Sequence, residues 1–482
     1  MVTGRACNLR DYSIDRGAGA AKLAHIPCLH SSTRPPRVNM FVLLLFCADL
    51  AHTGNGFPDV SLTVSPAEGH ESNTLQYDLE LNWQPSLDAD WICLFNVSSL
   101  QEVTQDTEPL IRISPRDYPD GYYSTNISFA EQQYPNGWSK GSGENPVPGD
   151  ACLSYWIAAY KYNELHQAVC LKIHPTWMWD HRAELENMPL IGLFFPGTYN
   201  SNHFNRGSIP LPRQTVSHFL LTQDSDVWGE LIRGIRYLDV DIEYCPNQGK
   251  SSSTPATTDD DRCSVNHSLP HANHLLPVLK DIKEFLKRAK YEIVILDIHH
   301  FPMGFEKNTD LHREFVSLLY SELGDYILSF DNITYNSTLA DVWHTGRTLI
   351  VAYNDSETTT EFAWLWGPIP RLYGDHQTTE GLKTFLWQCM DDARATSGTT
   401  LEMSTTSNLP TPAVSTSDNS DSLHDLIDMA SRNITKWFHN YWWRYSNLVA
   451  TDFFLGNNIT DVNVRACLDK ANNVIFQIAS ED

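Results

Sequence analysis

From Phe57 to about Pro175, apolar and polar positions alternate with a period of two. In LQYDLELNWQ, single polar residues separate Leu75, Tyr77, Leu79, Leu81 and Trp83. Successive side chains of a strand point to opposite faces, so this is the pattern of a half-buried strand. DWICLFNV, ACLSYWIAAY and QAVCLKIHP follow the same logic, with turn chemistry between them and no helical period. A small antiparallel β-sandwich over residues 57–176 is the economical expectation.

After Trp177 the texture changes. IGLFFPG, IRYLDVDIEY, EIVILDIHHF, TLIVAYND and LVATDFF read as strands, several of them too apolar for a sheet with one wet face. Such strands suit a parallel sheet covered on both sides. Between two of them, Asn273 can cap a helix whose Leu275, Leu279, Ile282 and Leu286 fall at helical spacing. Alternating strands and helices over 177–482 imply a parallel α/β architecture, either a closed barrel or an open sheet, and periodicity does not choose between them. The stretch 396–422 is rich in Ser, Thr and Pro. It cannot bury a core and reads as a disordered insertion.

The length of 482 residues fits two domains. Ahead of them, Met40 to Ala48 (MFVLLLFCA) is strongly apolar, follows Arg34 and Arg37, and precedes small residues at Ala51, Gly54 and Gly56. A bilayer span needs about 20 apolar residues, so this run is too short to cross one. It reads as a secretory signal peptide over 40–56, with 1–39 an upstream extension; the alternative is a buried core strand. N-x-S/T triplets at Asn96, Asn126, Asn266, Asn332, Asn336, Asn354, Asn433 and Asn458 agree with a secreted, extracellular glycoprotein. An oxidising compartment would pair most of the later cysteines. The leading expectation is Cys245 with Cys263, and further pairings are Cys152 with Cys170 and Cys389 with Cys467. No zinc spacing is present.

The net charge of -25 and pI of about 5.1 speak against nucleic acid, or an anionic membrane face, as the main partner, because an acidic surface is repelled by both. A cation such as Ca²⁺ is more compatible.

In parallel α/β folds, reactive groups collect at the C-terminal ends of strands. Four places put ionisable or amide side chains there: Tyr199 and Asn200 after IGLFFPG, Asp239 and Asp241 in IRYLDVDIEY, His267 in CSVNHSL, and His299 and His300 in EIVILDIHHF. Asp239 and Asp241 are two apart, so both emerge on one face of a strand. Two carboxylates that close share a cation or a proton, and with the Asn200 amide they suit Ca²⁺ or Mg²⁺. An acidic strand end exposed to water has the same spacing, and spacing alone leaves both open. His267 can serve as general acid or base near neutral pH. Histidines are also frequent on surfaces and in satisfied cores, which applies equally to His271, His274, His299 and His300.

These segments carry a resemblance. LIGLFFPGTYNSNHF is similar to the opening motif of the phosphatidylinositol-specific phospholipase C X domain, GIRYLDVDIEY to its second strand, VNHS with LLPVLKDIKEFL to its second-histidine segment, and YEIVILDIHHF to its fourth strand. The likeness runs in order from about Met188 to Ile475, includes LVATDFFLGNNI, and resembles in kind the X-domain-containing proteins of invertebrates. It implies a distorted TIM barrel preceded by the sandwich. It also implies cleavage of a lipid phosphodiester by attack of the inositol 2-hydroxyl on phosphorus, with one histidine as base and another as acid. Both are needed because the attacking and leaving alcohols have high pKa values. By the resemblance His267 is the second histidine, and Asn200, Asp239 and Asp241 match calcium ligands, with His299 at the fourth ligand position. The first histidine is replaced by Tyr199. A phenol with a pKa of about 10 stays protonated at neutral pH, so Tyr199 is no ready base, and His203 is the nearby substitute. Ca²⁺ prefers oxygen, so His299 weakens the metal set.

Three readings follow. One is a secreted phosphoric diester hydrolase acting on a phospholipid or inositol-phosphate headgroup, with transient contact to a membrane surface. The second is a headgroup-binding protein that has lost turnover. The third moves the substrate, since the acidic pair also resembles the metal site of glycerophosphodiesterase-like and sphingomyelinase D-like barrels.

Overall fold

The computed structural model describes residues 58–478, apart from 66–67, 70–74, 105–106, 130–132, 144, 202, 205–221, 245–262, 266–272, 302, 374–377, 396–402 and 406–429. The Met40–Ala48 stretch, Cys245 and His267 lie outside the described residues.

The period-two segments form antiparallel strands. β1 (Val60–Val64), β4 (Asp78–Trp83) and β7 (Tyr122–Ser128) make one sheet, and β5 (Trp91–Asn96), β6 (Ile111–Ile113), β8 (Ala151–Lys161) and β9 (Glu164–Ile173) another. A short pair, β2 (Glu68–Gly69) and β3 (Leu75–Gln76), lies between β1 and β4 in the chain. Leu79, Leu81 and Trp83 are buried as their alternation requires, in one apolar cluster with Ile92, Leu94, Leu153 and Ile157 of the second sheet. The intervening Glu80 and Asn82 are buried too, so β4 is covered on both faces where one wet face was expected. Glu80 accepts hydrogen bonds from Thr63 Oγ1 at 3.1 Å and Tyr122 Oη at 2.6 Å, which is what makes burying its carboxylate tolerable. The Cys152–Cys170 disulfide joins β8 to β9.

The second half is a parallel sheet of seven strands: β10 (Phe195–Thr198), β11 (Tyr237–Val240), β15 (Val294–Ile298), β16 (Leu349–Tyr353), β17 (Arg371–Tyr373), β18 (Met403–Thr405) and β19 (Leu448–Thr451). The sheet order is β16-β15-β11-β10-β19-β18-β17, so consecutive strands of this sheet are neighbours in it except β16 and β17, which stand at its two ends, and β10 pairs with β19 as well as β11. Among the described residues no ladder joins β16 to β17; an isolated parallel bridge, Ala352 to Trp366, flanks β16. Tyr237, Ile295, Ile350 and Leu448 lie in one buried cluster, and the alternate residues Leu238, Leu296 and Val351 in another, shared with the helices. Both faces are therefore dry, as the apolar runs require.

Four expectations need correction. The helix Leu275–Arg288 buries Leu275, Leu279, Ile282 and Leu286, but the residue at its N-cap is His274, whose side chain does not cap the helix. Asn273 is not free to cap because it belongs to β14 (Asn273–His274), which pairs with β13 (Cys263–Val265). IRYLDVDIEY is not one strand: it breaks at Asp241, after which β12 (Ile242–Tyr244) joins β13 in a separate antiparallel sheet. Met403–Thr405, inside the supposed disordered insertion, forms β18 between β17 and β19. A ladder is made of backbone bonds, so a polar composition does not forbid it. Cys467 carries a free thiol and is not paired with Cys389; its sulfur accepts the Phe194 N–H at 3.2 Å inside the core.

Candidate active site at the strand ends

β10 ends at Thr198, and the chain turns through Tyr199, Asn200 and Ser201. Asn200 sits at φ 46°, a left-handed conformation that Asn tolerates better than most residues. The turn is tied on three sides. Ser201 N–H donates to the Asp239 carbonyl at 2.7 Å, Tyr199 N–H donates to the Thr451 carbonyl at 3.1 Å, and Gln223 Nε2 donates to the Tyr199 carbonyl at 2.7 Å. From behind, Thr198 Oγ1 donates to the buried Glu230 carboxylate at 2.7 Å. The turn is held rigidly against β11 and β19, which fixes where Tyr199 and Asn200 begin.

The parallel register sets Asp239 of β11 beside Asp297 of β15. Both are fully buried, and Asp241 is 5% exposed, which excludes a water-exposed acidic strand end. Tyr237, two residues before Asp239 and so on its face, donates its hydroxyl to Asp297 Oδ2 at 2.6 Å. Gly197 makes room for that ring: a Cβ there would lie 2.7 Å from Tyr237 Cδ1. His299 Nδ1 is 3.9 Å from Asp297 Oδ2, and His300 Nδ1 is 3.5 Å from Asp241 Oδ2. Asn354 Nδ2, beyond the end of β16, donates to the His299 carbonyl at 2.9 Å. Burial, with the Asp297 charge nearby, raises the Tyr335 phenol above its usual pKa.

The structure thus brings Tyr199, Asn200, Asp239, Asp241, His299 and His300 to the ends of three neighbouring strands. His203 is buried in the same turn, its N–H donating to the Asn200 carbonyl at 3.2 Å. The sequence reading missed Asp297, Tyr237 and Asn354. The signal for Asp297 was present, since an acid inside the apolar run VILDI needs a partner or a task. Among the described residues no three His, Cys, Asp or Glu side chains converge as metal ligands. The Asn200 amide is buried with neither polar atom hydrogen-bonded, as fits an oxygen donor held ready for a ligand. Near the last strand, Phe453 lies at φ 43°, an uncommon conformation for an aromatic residue and a local strain beside the site.

No family model matches the chain. It is 24% identical over 248 residues to human PI-PLC X domain-containing protein 1, a match spanning 48% of this chain and 71% of the relative. The chain is a homologue of the PI-PLC X domain-containing proteins. The mouse protein 1 is 26% identical and the mouse protein 2 is 23% identical, each over 44% of this chain; the matches span 62% and 63% of those relatives' own lengths. Among solved structures, the phosphatidylinositol-specific phospholipase C of Staphylococcus aureus aligns at 15% identity and TM-score 0.43 over 61% of this chain and 97% of its own. The Listeria monocytogenes enzyme aligns at 15% identity and TM-score 0.41 over 61% and 98%.

Proposed function

We propose that the protein is a phosphoric diester hydrolase that cleaves phosphatidylinositol-class lipids, with the parallel sheet as a phospholipase-type barrel and the antiparallel sheets as a β-sandwich. The observation that carries this reading is the buried carboxylate pair Asp239 and Asp297 at neighbouring strand ends, with Tyr237 bonded to Asp297 and the His299 imidazole 3.9 Å from it. Attack of the inositol 2-hydroxyl on phosphorus needs a base, and Tyr199 is a poor one at neutral pH. In this reading the base is His299, and the Asp297 charge, 3.9 Å from its Nδ1, stabilises the imidazolium that forms. His267 is the acid that protonates the leaving alkoxide. His203, in the Tyr199 turn, is the alternative base. A calcium ion would be held by Asn200, Asp239 and Asp241 and would neutralise the phosphodiester oxygens.

A secreted location belongs to the same reading, supported by the Met40–Ala48 run and by a disulfide that an oxidising compartment maintains. The test is release of inositol phosphate from phosphatidylinositol vesicles by the full chain. Turnover in wild type that is lost in His299→Ala and His267→Ala is expected. The second reading, headgroup binding without turnover, is favoured by Tyr199 at the first-histidine position. An inert wild type, together with turnover gained by Tyr199→His, would establish it and overturn the first.

A further inference from the structure

A cavity of about 80 Å³ lies between the sheet β1-β4-β7, the helical segment 430–442 and the start of the helix Ile459–Ile478. It is separate from the strand-end site: Tyr199, Asp239, Asp241 and Asp297 do not line it. Two features of its wall call for a ligand. Asn82 is 6% exposed, and its Nδ2 donates to Thr63 Oγ1 at 2.8 Å, which in turn donates to Glu80 Oε2 at 3.1 Å. That relay fixes the orientation of the amide. It leaves Asn82 Oδ1 as a buried acceptor that receives no hydrogen bond, a state native structures rarely leave without a ligand or water.

The second feature is cationic. Lys436 lines the cavity without a hydrogen-bond or ion-pair partner among the described residues. Arg432, one turn earlier, lies with its guanidinium 3.7 Å from Glu80 Oε1 and 3.7 Å above the Tyr122 ring. Burial and the neighbouring Arg432 hold the Lys436 pKa down, against the charge of Asp120, which raises it. Asn458, just ahead of the helix Ile459–Ile478, completes the wall at the positive end of that helix dipole. Of the carboxylates on the wall, Asp461 is engaged by Lys172 and His174, and Asp59 faces His439.

We propose that this cavity binds a small hydroxylated phosphomonoester, its phosphate against Lys436 and Arg432 and one hydroxyl donating to Asn82 Oδ1. By the same measure one water needs about 10–15 Å³, so the space holds several waters' worth of atoms, enough for a phosphate and the adjoining carbinol.

Calorimetric titration of the full chain with glycerol 3-phosphate and with inorganic phosphate tests this. Saturable binding of glycerol 3-phosphate is expected. Asn82→Ala should weaken it by about tenfold while leaving inorganic phosphate unchanged, because only the hydroxyl contact is lost. Lys436→Met should weaken both. Phosphatidylcholine vesicles bearing phosphatidylinositol 4-phosphate form a second arm. Co-sedimentation that is lost in Lys436→Met assigns the phosphomonoester to a lipid headgroup, and glycerol 3-phosphate binding without co-sedimentation assigns it to a free ligand. Lys436 is only half-buried, so Lys436→Met is expected to fold even where Asn82→Ala does not. Wild-type affinity in folded Lys436→Met, or no saturable binding by wild type in either arm, overturns the proposal.

Discussion

His174 offers a direct test of what holds the antiparallel half to the parallel half. It is 4% exposed, with Nδ1 2.8 Å from Asp150 Oδ1 and Nε2 3.1 Å from Asp461 Oδ1. Lys172 reaches the same two carboxylates at 3.2 and 3.1 Å. Asp461 lies on the helix Ile459–Ile478, so the cluster ties the end of β9 to the last helix. Burial pushes the His174 pKa down, but Asp461 and Asp150 outweigh it and hold it above the usual imidazole value. Burial likewise pushes Asp461 up, and Lys172 with His174 outweighs it, holding that carboxyl well below the usual range.

His174→Ala removes a buried imidazolium from between two carboxylates. Breaking a fully desolvated pair costs about 3–5 kcal/mol. Here the Asp150 and Asp461 side chains keep 44% and 35% exposure, so screening brings the expected loss to about 2 kcal/mol. The sign of the pH dependence follows from the raised pKa. The His174 contribution is fully present below the unfolded value of about 6.5 and is lost as pH rises through the folded one; the Asp461 contribution is present above about 3.9 and is lost as pH falls through its depressed value. Urea midpoints of wild type and His174→Ala, measured from about pH 5 to pH 9, should therefore differ most at the acid end and converge toward the alkaline end. A difference that is constant across that range, or that widens with pH, would refute the linkage argument.

Arg236 and Glu292 form a fully buried pair at 2.8 Å, with the Met178 and Trp179 N–H groups also donating to Glu292. Glu292→Ala should cost about 3–5 kcal/mol in urea unfolding, and Arg236→Met with Glu292→Leu should recover much of it, because the single change strands a buried cation. Gly197→Ala pushes a Cβ to 2.7 Å from Tyr237 Cδ1, so a loss of about 1–3 kcal/mol is expected, with any lipid hydrolysis falling to the level of Tyr237→Phe because both changes disturb the hydroxyl on Asp297. The Cys152–Cys170 bridge closes a segment of sequence separation 18, for which chain entropy predicts about 3 kcal/mol. A reducing agent should lower the urea midpoint of wild type and leave Cys152→Ala/Cys170→Ala unmoved.

Much of this protein was readable from local pattern. Alternation at Leu79, Leu81 and Trp83, and apolar runs such as VILDI and LIVAY, determine strands of the two kinds, because a side chain's face follows directly from its position in a strand. The strand-end rule likewise located Asp239, Asp241 and His299 before any geometry was known. Local pattern could not carry register or pairing, which depend on partners far away in the chain. Register alone placed Asp297 beside Asp239 and put the Tyr237 hydroxyl on it. Pairing with β13 took Asn273 from its helix, and ladders on both sides made a strand of Met403–Thr405 despite its polar surroundings. The buried Glu80 and Asn82 show the same limit most plainly. Their alternation marks a wet face, and only tertiary packing, with the 430–442 segment and the start of the last helix facing β4 across the cavity, makes that face an interior, where Asn82 Oδ1 is left needing a donor.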